Sequence, residues 1–203
     1  MWLRKPSRET KLPTQTLRAA VAVTAALALA GCSADYVENS EASVLLQITS
    51  LNEGAQLDSD VRNGEDSTFV CENEVDVEVR VVNKNPLAAT AISSDVQLES
   101  YEVRYTRSDG RGTEGVDVPY RVTGTLALLV PAGNEASFAL EVVRRQAKLD
   151  PPLTNINQTT ILTVSAQVTL YGRTISEKRV TASGSMQIDF ADFGDEETAC
   201  PTN

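Results

Sequence analysis

Few residues in this chain could do chemistry, and their types limit it sharply. The 203 residues include no histidine. That removes Ser-His-Asp and Cys-His catalysis, His-based zinc sites and the usual base near neutral pH. A Ser-Lys pair or a carboxylate pair remains as a formal route to hydrolysis. Beyond residue 31 the lysines are Lys84, Lys148 and Lys178, and none stands in a Ser-x-x-Lys frame. No dinucleotide-binding Gly-x-Gly-x-x-Gly turn and no Walker-type phosphate loop is expected. We therefore expect no enzyme, no cofactor and no metal centre.

Three segments concentrate polar groups. Ser108–Pro119 (SDGRGTEGVDVP) joins two strongly apolar segments and carries Asp109, Gly110, Arg111, Gly112, Glu114, Gly115 and Asp117. A glycine-rich charged loop on a rigid scaffold is a frequent seat of binding; the alternative is an ordinary mobile hairpin loop. A second group is Asp189, Asp192, Asp195, Glu196 and Glu197. Calcium takes six to eight oxygens, but no Asp-x-Asp-x-Asp-Gly run exists here, and a solvated acidic tail is the plainer reading. The third, Asp58, Asp60, Glu65 and Asp66 in LDSDVRNGED, reads as a polar loop between strands.

The N-terminus carries a different signal. Residues 1–18 hold Arg4, Lys5, Arg8, Lys11 and Arg18 against the single acid Glu9, and residues 19–30 are almost wholly small and apolar. A basic region, a short apolar core and a small-residue cleavage point describe a secretory signal. About 12 apolar residues fall short of the ~20 that span a bilayer as a helix. Leu29-Ala30-Gly31-Cys32 resembles the lipobox of bacterial lipoproteins. That resemblance implies cleavage before Cys32, a diacylglyceryl group on its thiol and acylation of the new amino group, two or more chains being needed for stable anchoring. With Ser33 next, it also implies an outer-membrane protein, lipid-anchored at the periplasmic face; the outer face of a plasma membrane or the cell surface is the alternative.

Processing would sharpen the acidity. The leader holds 5 of the 18 basic and 1 of the 28 acidic residues, so residues 32–203 keep 13 against 27, a net charge of −14. Such a domain should avoid nucleic acid and anionic lipid. The expected partners are the membrane, through lipid on Cys32, and another envelope protein. Two further cysteines, Cys71 and Cys200, are expected to pair in an exported domain.

The elements that position these groups read as β. Residues 33–42 are polar, without periodicity, and make 32–42 a lipidated cysteine and tether. Residues 43–190 form one domain, followed by an acidic tail at 191–203. Val75, Val77, Val79 and Val81 alternate with Asp76, Glu78 and Arg80, the mark of a half-buried strand. Further strands are expected at Ser43–Thr49, Ser67–Val70, Asp95–Thr106, Tyr120–Val130, Ser137–Arg144, Ile161–Tyr171 and Lys178–Phe190. The apolar parity shifts between Leu98 and Tyr101, which predicts a bulge. Glu141–Leu149 could end in a helical turn. Most tyrosines and phenylalanines fall at inward parity. About eight strands and almost no helix argue for a single antiparallel β-sandwich, all-β and immunoglobulin- or fibronectin-III-like. The stretch VRVVNKNP, ending in Asn83-Lys84-Asn85-Pro86, is similar to the strand-then-turn of the water-stress domains of late-embryogenesis-abundant proteins, which implies the same architecture.

Overall fold

The structure is a computed structural model, and it describes residues 41–62, 69–87, 89–193 and 200. Cys32, the leader and the tether up to residue 40 lie outside the described residues, as do Glu65, Asp66, Ser67, Asp195, Glu196 and Glu197.

Alternation of apolar and polar side chains makes strands, and the strands close over each other in two sheets. The described strands are β1 (Val44–Leu51), β2 (Leu57–Asp60), β3 (Asn73–Asn83), β4 (Val96–Arg107), β5 (Val122–Val130), β6 (Glu135–Val143), β7 (Leu162–Thr174) and β8 (Arg179–Ala191). One sheet has the order β1-β3-β6 and the other β2-β8-β7-β4-β5. The chain passes between sheets at β1–β2, β2–β3, β3–β4, β5–β6 and β6–β7. The protein is an all-β sandwich.

The core lies between the sheets. Val75, Val77, Val79 and Val81 of β3 are buried, and so are Val164, Ala166, Val168 and Leu170 of β7 and Met186, Ile188 and Phe190 of β8. Burial of this apolar area is the main stabilising term. Tyr105 of β4 adds a directional link. Its hydroxyl donates to the Val142 carbonyl on β6, in the opposite sheet, and its ring meets Phe190 edge-on with centroids 6.4 Å apart. Two tyrosines depart from the inward expectation: Tyr120 is 56% and Tyr171 is 36% exposed.

Pairing follows the sequence pattern closely in β4, where the register against β5 and β7 shifts between Leu98 and Ser100. That is the bulge announced by the parity change. The expectation of a purely antiparallel sandwich is corrected at one strand. β2 runs parallel to β8, with Leu57 beside Ile188 and Asp60 beside Ala191. Asp58 and Asp60 therefore sit on a strand, where LDSDVRNGED reads as a loop. Near Ser67–Val70 only an isolated bridge at Phe69 is described. The helical turn after β6 is present as α1 (Arg145–Leu149).

β2 is held by its surroundings. The Asp60 carboxylate accepts from the backbone N–H of Arg62 at 3.1 Å and of Phe193 at 3.2 Å. Lys148 of α1, only 3% exposed, donates from Nζ to the Asp60 carbonyl at 2.6 Å. Two aspartates in four residues hide this strand from a propensity reading, while tertiary hydrogen bonds create it.

The ends of the sandwich differ. The chain enters β1 where Lys178 pairs with Glu41 at 3.0 Å and where Ser43 and Ser94 share a hydrogen bond. The β4–β5 connection lies at the other end, because β4 starts beside Thr174 and finishes beside Val164. Twelve residues of β4 span about 40 Å.

Candidate functional site

The β4–β5 loop is built from two tight turns locked by charge. In the first, the Gly110 N–H donates to the Arg107 carbonyl at 2.9 Å and the Arg107 N–H to the Arg111 carbonyl at 2.8 Å. Gly110 takes φ +83°, a left-handed conformation that glycine adopts without cost. In the second, the Thr113 carbonyl accepts from Val116, Asp117 and Val118, and the Gly115 N–H donates to the Val118 carbonyl at 2.8 Å. Val118 is completely buried and plugs the loop into the end of the core.

Side chains brace both turns. The Asp109 carboxylate accepts from the Arg111 N–H at 3.1 Å and from Arg111 Nε at 2.9 Å. Arg111 also reaches Asp117 at 3.6 Å, and Asp117 accepts from the Thr113 N–H at 3.3 Å. Glu114 is used separately, accepting from Arg121 Nε at 2.7 Å. Arg121 continues to Glu102 at 3.1 Å, which Arg104 meets at 3.0 Å. The hydrogen bonds from Arg111 hold the Asp109 carboxyl below its ordinary range and raise Arg111 in turn. At Glu102 burial pushes upward, and the hydrogen bonds from Arg104 and Arg121 outweigh it, so the carboxyl is lowered.

Asp109, Arg111 and Asp117 thus come together in one ion cluster, with Glu114 in a second. Gly110 and Gly115 serve the backbone. Gly112 has no positive φ, and a methyl there would meet only ordinary contacts. Gly110, Gly112 and Gly115 also spell Gly-x-Gly-x-x-Gly, the spacing of dinucleotide-binding turns. Here the turn leads from β4 into β5 with no helix behind it, so it lacks the helix N-terminus that such turns offer to a pyrophosphate.

Sequence reasoning missed the groups that complete this end. Tyr120 lies on the loop because Gly115 has no side chain: a Cβ there would stand 2.4 Å from the Tyr120 hydroxyl. Val116, 68% exposed, projects from the second turn. Glu102, Arg104 and Arg121 meet only through strand register, which no local pattern announces.

The other sequence candidates are placed as follows. Cys71 and Cys200 form a disulfide with Cα atoms 5.4 Å apart, and Cys71 is buried just before β3. Asp192 pairs with Arg62 at 3.8 Å. Among the described residues no group of three potential ligands is placed to hold a metal ion. No helix among them is long and apolar enough to cross a membrane. No protein family model matches the chain, and no curated protein matches it.

Proposed function

We propose that this protein is a lipid-anchored envelope lipoprotein that works without catalysis, as an interaction module docking another envelope protein through its β4–β5 loop. The observation that carries the docking site is a braced loop that holds apolar surface outward. Its charges are spent on internal pairing, and Tyr120, packed against Gly115, and Val116 stand exposed on it. A rigid aromatic and an aliphatic anchor ringed by polar groups is the arrangement that dominates binding energy at interfaces. Position supports the same reading. The loop lies at the opposite end of the sandwich from the chain's entry into β1, so lipid on Cys32 and a tether of about 15–20 Å reach would leave it open to an envelope partner.

A calcium-binding role has less support, because Arg111 and Arg121 already neutralise the loop carboxylates. The test is in-cell crosslinking capture from the native organism. The intact chain should retain one dominant partner that Val116→Asp with Tyr120→Ala loses and Thr160→Ala keeps. Retention of that partner by the double variant, or by a chain lacking Gly110–Gly115, would refute the choice of site.

A further inference from the structure

β8 is longer than the strand beside it. It has 13 residues, but β2 pairs only with residues 188–191, so beside Ser183 and Ser185 no described strand lies on that side. Parity fixes where the backbone of this stretch points. The Thr174 N–H donates to the Lys178 carbonyl at 2.8 Å, and in an antiparallel ladder every second pair exchanges such bonds. Val180, Ala182, Gly184 and Met186 therefore bond to β7, and Ser183 and Ser185 turn their N–H and C=O groups outward. The Ala191 carbonyl, in the same parity, accepts from Val61 just after β2. A trough runs along this lane. A cleft of about 700 Å³ and a second of about 510 Å³ share Ile48 and Thr49, and both lie between residues 46–51 of β1 and 181–187 of β8. Ile48 and Leu51 close its floor over Gly184, where a Cβ would stand 3.1 Å from Leu51 and 3.4 Å from Ile48. β1 offers the poorer edge, because its register breaks between Ile48 and Ser50.

We propose that this lane receives an extended segment of a basic partner polypeptide, which adds to the larger sheet beside β8 and in line with β2. The backbone decides the form of the occupant. N–H and C=O groups that point outward from alternate residues are met by an extended chain, and strand addition of this kind draws its affinity from main-chain bonds. Ser183 and Ser185 carry small, uncharged side chains that leave the approach open. Charge decides the kind of chain. Glu53 lines the trough, and at its β2 end Asp58 stands beside Asp189, like charges on neighbouring strands. Glutamine amides meet the two aspartates: Gln56 donates to Asp58 at 3.0 Å and Gln187 to Asp189 at 3.2 Å. No lysine or arginine among the described residues forms an ion pair with Glu53, Asp58 or Asp189. A cationic side chain on the incoming segment relieves that repulsion, while the chain's own net charge of −10 disfavours a second copy. No residue of the β4–β5 loop lines the trough, so this site stands or falls apart from that loop and from lipid at Cys32.

The test is amide exchange, read by magnetic resonance on the full chain in detergent with a synthetic peptide of alternating valine and threonine that ends in two lysines. At saturation the peptide should slow exchange of the Ser183 and Ser185 amides on the order of tenfold. The same peptide N-methylated throughout keeps its charge, loses its strand donors and should leave both amides unchanged. A peptide ending in two glutamates should bind more weakly than the lysine peptide, and Glu53→Lys should weaken the lysine peptide roughly fivefold. Ser185→Pro removes one outward donor and spares the bonds to β7; it should keep the β7 amides protected and lose the peptide. If that variant does not fold, the methylated peptide decides the same point. No protection by the lysine peptide, equal protection by the methylated one, or equal binding of the glutamate peptide overturns the proposal. So does protection of Ser183 and Ser185 that grows with protein concentration alone, which would make the occupant a second copy.

Discussion

Tyr105 links the two sheets through one hydroxyl. Burial raises its pKa above the ordinary tyrosine range, so the group stays a donor under all physiological conditions. Tyr105→Phe removes the donor and leaves the Val142 carbonyl buried and unmatched, which costs about 1–3 kcal/mol; urea unfolding should show that loss. The acids Asp109 and Glu102 predict a pH response of known sign. Both carboxyls are lowered from ordinary values of 3.8 and 4.5. Their stabilising contribution is present above those values and disappears as pH falls through the lower folded ones. Exchange protection of the Arg111 amide, which donates to Asp109, should therefore be lower in acid than at neutrality, while β3 and β7 amides stay protected. Inward parity marked Tyr101 and Tyr105 as core residues in the sequence. It could not pair Glu102 with Arg121, because their meeting requires the β4–β5 register.

At the scale of the element, two glycines do different work. Gly172 of β7 faces the backbone of β4, and a Cβ there would lie 2.6 Å from the Gln97 carbonyl oxygen. Backbone cannot swing aside as a side chain can. Gly172→Ala should destabilise by about 1–3 kcal/mol, measured by denaturant midpoint. Gly115→Ala combines φ +73° with the clash against Tyr120. It should displace the ring and change tyrosine fluorescence without unfolding the sheets, because the change stays at one loop. Long strands were legible where alternation ran uninterrupted, as in Glu74–Val81 and Val164–Leu170. The bulge was legible because it reverses parity. β2 was not, since neither Asp58 nor Asp60 favours a strand and its partner lies about 130 residues away on β8. The loop's glycines and charges were visible as a group. Their mutual neutralisation was not, since it depends on how two turns fold over each other.

At the scale of the molecule, one covalent link ties the chain's late residues to its first half. The Cys71–Cys200 bridge spans 129 residues, a loop for which chain-entropy models assign about 4–5 kcal/mol. Cys71→Ala with Cys200→Ala should lower the unfolding midpoint accordingly and remove its dependence on reductant. If Cys32 carries the proposed lipid, Cys32→Ser should release the protein to the soluble fraction, an acidic surface being repelled by an anionic membrane; membrane association persisting in fractionation would sink that proposal.

The opposed placement of chain entry and β4–β5 loop has a mechanical consequence. A pull applied between the chain entry at β1 and the β4–β5 loop runs along the strands. β1 is antiparallel to β3 over seven register pairs, and inter-strand hydrogen bonds lie perpendicular to the strands. That load shears the β1–β3 ladder as a set and does not peel it bond by bond. Resistance to tension is governed by the unfolding rate, and under shear the pairs of the ladder must give way together. The domain is thereby suited to bear a pull applied between its chain entry and that loop.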